Sequence, residues 1–374
     1  MIPVSEPWFT PEDAARVAAC VSSGWVSSTG PAVKQFEAAW AQYCGRRFGI
    51  AMSSGTTALQ ASVAALNLAP GDEVIIPAFT IIPCALAVIY NGAVPVLVDS
   101  DPKTWCMDVG AIESKITPRT RAIMPVHIYG HPVDMEPLLA IAATHNLAVI
   151  EDAAEAHGAK YRMKNGDCAR CGSFGLVSCF SFYANKLIAT GEGGMSLTDD
   201  SDLAARLASL RDLCFIPGER FRHEETGFNF RLTNMQAALG LGQIERTEEL
   251  LRRKRAMAAV YREELSGLPL QLATEQSWAS SSFWMFGIVL DESVPFDAAE
   301  MARRSRCCDI ETRPFFLGMH EQPALLKRGL FTGERYPIAE RLARRGLYLP
   351  SGLGSSEGDF RRVARAVRGV LERA

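Results

Sequence analysis

Residues 73–98 read EVIIPAFTIIPCALAVIYNGAVPVLV. After Glu73 the chain is apolar to Pro77. It is apolar again over a helix-length stretch, 82–90, closed by Asn91-Gly92, and once more from Val94 to Val98. A strand apolar at every position is one covered on both faces, so these segments predict strand, helix and strand. Strands joined at this spacing through a helix are parallel neighbours with a right-handed crossover. The same alternation runs outward in both directions. A helix over 56–68, stopped by Pro70-Gly71, comes before; a helix over 109–116, a strand over 121–126, a helix over 134–144 and a strand over 148–151 come after. The pattern predicts an α/β fold with a mostly parallel central sheet flanked by helices.

Beyond residue 174 the sequence predicts a strand over 177–182, a Gly-rich turn over 191–194, a strand over 195–198 and a helix over 201–212. A long helix from 234 to about 261, with a break near Arg252, leads into a smaller C-terminal α+β lobe. That lobe is expected to hold a strand over 283–290, a helix over 296–304 and a closing helix over 359–373. The expected division is an N-terminal segment over 1–20, a large domain over 21–240 and a small domain over 241–374.

Composition narrows the class. The 374 residues are 48% hydrophobic and 22% charged, ordinary for a globular protein and unlike disordered or collagen-like chains. Lysine and arginine number 39 against 42 acids, for a net charge of −3, so no global basic field for nucleic acid exists. Apolar runs are too short to span a bilayer. The start, MIPVSEPWFT, has neither a basic nor an apolar signal region, so a cytoplasmic protein is expected, with its ten cysteines as reduced thiols. Cys168 and Cys171 form a C-x-x-C pair in the segment KNGDCARCG. A zinc site needs two further ligands and no second pair exists, so loop cysteines and no metal are expected.

Three segments carry chemistry. Ser53-Ser54-Gly55-Thr56-Thr57 opens an alanine-rich helix. Its free N–H groups and hydroxyls suit a phosphate, although a plain N-cap reads the same way. Asp152, in EDAAEAHG, ends an apolar parallel strand, where open α/β sheets bind ligands, and a carboxylate there can pair with a protonated ring nitrogen. Glu155 follows three residues on; two acids alone suggest a metal, but no close histidine or cysteine accompanies them. Lys186, in FSFYANKLIATGEGG, stands between an apolar strand and a Gly-rich turn, where desolvation lowers the pKa of an amine and makes it nucleophilic. Ser181 precedes it and can donate to a phosphate. Phosphate cradle, buried acid and activated lysine are together what pyridoxal phosphate requires.

With these motifs the sequence resembles the nucleotide-sugar (DegT-type) aminotransferases of the fold-type-I pyridoxal phosphate superfamily. The resemblance extends through GWVSSTGPAVKQFE, SSGTTAL, PGDEVIIP, ITPRTRAIMPVHIYGHPVDM, GFNFRLTNMQAALG and ETRPFF. It implies that Lys186 is the catalytic lysine bonded to the cofactor, that Asp152 pairs the pyridine nitrogen, that Glu155 lies near the ring hydroxyl, and that Gly55, Thr56 and Ser181 hold the phosphate. It implies that Asn229 reaches the phosphate from a second subunit, so that a homodimer shares its active sites. Glutamate is the implied amino donor, leaving as 2-oxoglutarate. A nucleotide-linked keto-6-deoxy sugar, GDP-linked and with the ketone at C4, is the implied acceptor, with UDP- or dTDP-linked and 3-keto sugars as alternatives. The product would enter lipopolysaccharide O-antigen or a glycosylated natural product.

Some positions depart from that pattern. Ile81 stands where the family has an aromatic residue on the pyridine ring, implying aliphatic contact and weaker cofactor retention. Glu321-Gln322-Pro323 replaces a Met-Pro, which alters substrate contacts. His127 and His131 read as strand-end and turn residues packed beneath the cofactor. Arg313 is the residue expected to bind a substrate diphosphate. Three other readings remain: a pyridoxal phosphate-dependent sugar dehydratase, in which histidine replaces the lysine; a non-catalytic sensor on the same scaffold; and an amino-acid aminotransferase. Lys186 opposes the first, and the intact acid, lysine and cradle oppose the second.

Overall fold

In the computed structural model, which describes residues 1–373 and of residue 220 the backbone only, the apolar segments around residue 75 become the middle of one large sheet. Its strands belong to the series β1 (Phe48–Met52), β2 (Glu73–Pro77), β3 (Val94–Val98), β4 (Thr120–Ile123), β5 (Ala148–Asp152), β6 (Lys160–Arg162), β7 (Cys168–Arg170), β8 (Val177–Ser181) and β9 (Gly194–Thr198). The order is β1-β9-β8-β5-β4-β2-β3. From β8 to β3 every pair is parallel, while β9 runs antiparallel to β8 and β1 antiparallel to β9. Every residue of β2, β8 and β9 is buried, so the sheet is covered on both faces there. The helices before, between and directly after them are α1 (Pro11–Ser23), α2 (Pro31–Cys44), α3 (Gly55–Ala65), α4 (Pro83–Tyr90), α5 (Met135–Thr144) and α6 (Ser201–Arg211).

The expected helix over 109–116 is instead two 3₁₀ turns, Val109–Ala111 and Glu113–Lys115. Asp108 caps the first through the Gly110 N–H. Ile116 is already extended ahead of Thr117-Pro118, which a helix cannot enter. The expected break in the long helix falls at Arg246 rather than Arg252, separating α7 (Asn234–Glu245) from α8 (Thr247–Glu264). At the break the Arg246 guanidinium is held by Asp13 at 2.9 Å and lies over the Trp8 ring.

A hairpin of β10 (Phe215–Ile216) and β11 (Glu219–His223) projects ahead of α7. The chain then adds β12 (Leu270–Leu272), β13 (Ala279–Ser280), β14 (Phe286–Leu290), β15 (Arg313–Pro314) and β16 (Gly346–Leu349). A second sheet, β12-β14-β16-β15, is antiparallel throughout, and β13 pairs with β6. The strand expected from 283 begins only at Phe286, because Phe283 takes a left-handed φ of 47°. Helices α9 (Ala298–Arg306), α10 (Pro323–Leu326), α11 (Pro337–Arg345) and α12 (Glu357–Leu371) complete the chain. α12 buries Phe360, Val363, Val367 and Val370 on one stripe and packs on α8. Among the described residues no helix is long and apolar enough to cross a membrane.

Candidate active site

Parallel strands end together, so β5 and β8 deliver Asp152 and Ser181 to one edge of the sheet, where α3 begins. The cleft there has a volume of about 340 Å³, and Gly55, Thr56, Asp152, Glu155, Ser181 and Lys186 all line it. The sequence had placed these six in one site, and the fold brings all six together.

The cradle is built by capping. Ser54 is the extended N-cap of α3: its hydroxyl accepts the Thr57 N–H at 3.2 Å, and the Thr57 hydroxyl accepts the Ser54 N–H at 3.0 Å. The Ser54 carbonyl accepts the Ala58 N–H. Of the four N–H groups that open a helix, those of Gly55 and Thr56 are left for a ligand. Glycine at 55 is a matter of space, since a Cβ would lie 2.7 Å from the Ser181 Cβ. A Cβ on Gly194 would lie 2.1 Å from the Ser54 carbonyl oxygen. The two glycines let the helix start settle directly on the ends of β8 and β9.

Asp152 is buried. One carboxylate oxygen accepts the Ala154 N–H at 3.0 Å and the other the Cys84 thiol at 3.3 Å. Burial pushes its pKa up, opposed by these donors and by the Lys186 charge. The sequence reading saw no cysteine near the two acids; Cys84, from the first turn of α4, is in fact in contact. Its own pKa is well above the ordinary thiol value, through burial and then the Asp152 charge, so it stays a protonated donor.

Lys186 is 9% exposed. Its Nζ lies 3.8 Å from Glu155 Oε1 and 3.5 Å from the centre of the Trp284 ring. Burial drives the lysine pKa down and the Glu155 pKa up, while their mutual attraction opposes both shifts. Glu155 Oε2 accepts the Tyr129 N–H at 2.7 Å, which Tyr129 presents from a left-handed turn with φ 52°. A free amine, a buried acid and an unfilled helix start around one space fit the cofactor anticipated from the sequence.

The remaining expected residues divide. Ile81 lines the mouth of the cleft and is 44% exposed; Arg313 lines it beside Tyr348. Asn229 is exposed and does not line the cleft of its own chain. His127 and His131 do not line it either. His127 Nδ1 accepts the Val133 N–H at 2.9 Å, so Nε2 carries the proton and donates to Glu151 at 2.8 Å. Glu151 also accepts N–H groups from Gly172 and Phe174. With Cys171 these two form the one metal-compatible cluster among the described residues. The Val133 N–H fixes the tautomer opposite to the one a metal on Nε2 would need, and the hydrogen bonds account for the cluster. Of the C-x-x-C pair, Cys168 is exposed and lies outside that cluster, and Cys171 is buried within it.

Trp284, Tyr348 and Phe316 also line the cleft and were missed from the sequence. Trp284 reaches it from the segment before β14, Tyr348 from β16 and Phe316 from the segment after β15; Phe316 alone lies in a quoted motif, ETRPFF.

The model of the DegT/DnrJ/EryC1/StrS aminotransferase family matches residues 8–368. GDP-perosamine synthase of Caulobacter vibrioides is 41% identical over 372 residues, covering 99% of this chain and 98% of that protein. GDP-perosamine synthase of Escherichia coli O157:H7 is 39% identical over 350 residues, covering 94% and 93%. The crystal structure of S. venezuelae DesV matches with a TM-score of 0.88 and 36% identity, covering 97% of this chain and 95% of that one.

Proposed function

We propose that this chain, which belongs to the DegT/DnrJ/EryC1/StrS aminotransferase family, moves an amino group from glutamate to GDP-4-keto-6-deoxymannose, giving GDP-perosamine. It is a pyridoxal phosphate-dependent transaminase of nucleotide sugars. The observation that carries the choice of acceptor is the near full-length likeness to two GDP-perosamine synthases. The segments HIYGHPVDM (127–135), EDAAEAHGA (151–159) and NKLIATGEGGM (185–195) carry the same likeness around the cleft.

Bound in the cleft, pyridoxal phosphate supplies an aldehyde that carries the amino group and a ring that takes up electrons from the neighbouring carbon. The chain's own residues do the rest. The N–H groups of Gly55 and Thr56 and the Ser181 hydroxyl hold the phosphate. Asp152 accepts the ring N–H and keeps that proton in place. Lys186 would be the amine that condenses with the aldehyde, with loss of water; freed again by the incoming amino group, its Nζ would take the proton from the donor's α-carbon and return one to the acceptor. Glu155 sits near the ring hydroxyl, and Arg313 at the mouth meets the substrate's diphosphate.

A homodimer with shared sites is part of the proposal, with Asn229 of a second copy completing the cradle. The exposed pair Trp25 and Val26, near a surface recess lined by Ser28, Arg211 and Arg231, supports it. So does the placement of Asn229 outside its own cleft. The division at residue 240 is supported by the seven-stranded sheet lying wholly before it and the four-stranded sheet wholly after it, with β13 reaching back to pair with β6. A cytoplasmic location fits ten free cysteines. The product's use, in lipopolysaccharide O-antigen or in a glycosylated natural product, belongs to the same substrate reading.

The test is a competition of GDP-, UDP- and dTDP-linked 4-keto and 3-keto sugars at limiting enzyme, compared by kcat/KM. The GDP-linked 4-keto sugar is expected to win, because a site built around one base leaves polar groups unpaired with another. A UDP- or dTDP-linked winner overturns the acceptor and leaves the transamination standing.

A further inference from the structure

Residues 281–286 form a strap that crosses from the second sheet onto the cleft. It is fixed at both ends. The Ser282 N–H and the Ser281 hydroxyl both donate to the Gly130 carbonyl at 3.0 Å, and the Phe286 N–H donates to the Ser351 hydroxyl at 3.0 Å. Glycine at 130 lets the strap sit down: a Cβ there would be 2.2 Å from the Ser282 Oγ and 3.0 Å from the Trp284 N. Between the anchors, Phe283 is left-handed and Trp284 turns its indole into the cleft.

Trp284 makes two contacts with the lysine loop. The Lys186 ammonium lies 3.5 Å over its ring, and its indole N–H donates to the carbonyl of Asn185, next to Lys186, at 2.7 Å. Behind the strap stands Lys254 of α8, 2% exposed. Its amine donates to the Trp284 carbonyl at 2.8 Å and to the Ser351 carbonyl. A buried lysine without a carboxylate is a costly residue for packing alone, and burial brings its pKa down to about 7. A lysine that spends its hydrogens gripping two carbonyls of this strap is instead a local fixture.

We infer that Trp284 is a positioning residue that holds the amine of Lys186 over its ring face, and that Lys254 acts through it by pinning the Trp284 carbonyl. The inference rests on Lys186 being the reacting amine. During transfer the lysine is released and must hold a proton. Glu155, 3.8 Å away, attracts that ammonium, as does the charge of Asp152; His157, also buried near Lys186, is kept neutral, its pKa taken down to about 3 chiefly by burial. The ring face opposes collapse onto Glu155 and leaves the amine's protons directed into the cleft.

The test reads the titration of Lys186 in the full-length chain freed of cofactor. Acetic anhydride labelling of Lys186, followed by mass spectrometry against an exposed lysine as internal standard, gives the pH midpoint. Trp284→Leu keeps the site dry and removes the ring face, so the midpoint is expected to fall by about half to one and a half pH units. Trp284→Phe retains a ring face and is expected to restore most of it. Lys254→Met should lower the midpoint as well, and Lys254→Met with Trp284→Leu should go no lower than Trp284→Leu alone. An unchanged or raised midpoint in Trp284→Leu overturns the inference for Trp284. Additive shifts in the double variant overturn the route from Lys254. Turnover surviving in Lys186→Ala would remove the proposed function instead, and the labelling result would still stand as a statement about Trp284 and the lysine.

Discussion

Gly55→Ala separates a phosphate cradle from an ordinary N-cap. Gly55 is not in the left-handed region, so alanine meets no backbone obstacle there. The obstacle is contact: the new methyl would lie 2.7 Å from the Ser181 Cβ. That is about 0.8 Å short of the ~3.5 Å at which carbon atoms rest, so the start of α3 must back away from the end of β8. A hydrogen bond of ordinary length stretched by that amount is lost. One bond to a charged phosphate is worth about 1.5–3 kcal/mol, which predicts cofactor binding weaker by about 10- to 100-fold. Stability responds differently. Overpacking costs about 1–3 kcal/mol, while alanine returns up to about 1 kcal/mol of helix propensity, so the cofactor-free protein should melt only slightly lower.

The assay is titration of the cofactor-free protein with pyridoxal phosphate, followed by absorbance, alongside its thermal melt. Ser54→Ala is the comparison. It removes the cap that satisfies the Thr57 N–H, at a cost of about 1 kcal/mol in stability, and leaves the Gly55 and Thr56 N–H groups where they are. Its cofactor affinity should stay within about threefold of the parent, less than 1 kcal/mol. Were Gly55→Ala to bind the cofactor as well as the parent while melting lower, the helix start would be a cap and nothing more, and the phosphate would have to be held elsewhere.

Two further outcomes follow from the structure. Lys186→Ala should end turnover yet still bind the cofactor; mixed with Asn229→Ala chains under proven subunit exchange, it should recover part of the activity, and no recovery would mean each chain carries its whole site. His131 has its pKa pushed down to about 4, by burial first, against the Pro132 carbonyl and Glu275. The unfolded chain therefore binds the extra proton first, and stability present above about pH 6.5 is lost as pH falls from there toward 4. The melting temperature of the cofactor-free protein should drop across that window, and His131→Asn should flatten the drop; an equal drop in both would place the titration elsewhere.

What could be read from the sequence, and what could not, follows the distance over which each residue is positioned. β2 and β3 coincide with their expected bounds because a strand buried on both faces declares itself residue by residue. Gly55, Asp152 and Lys186 were legible because each stands at a strand end or helix start that its immediate neighbours define. The break at Arg246 was misplaced, and the partner its side chain meets there, Asp13, is 233 residues earlier. Trp284 was missed for a similar reason: its partner carbonyl belongs to Asn185, 99 residues back, and its own neighbours read as the opening of a strand. Cys84 and Lys254 show the limit most clearly. Each lies on a helix whose pattern reads as packing, and neither helix reveals that one side chain meets the acid beneath the cleft while the other grips the strap above the lysine. Local sequence thus specifies the groups that do the chemistry, whereas the groups that hold them in position become visible only when the second sheet and α4 are folded against the first.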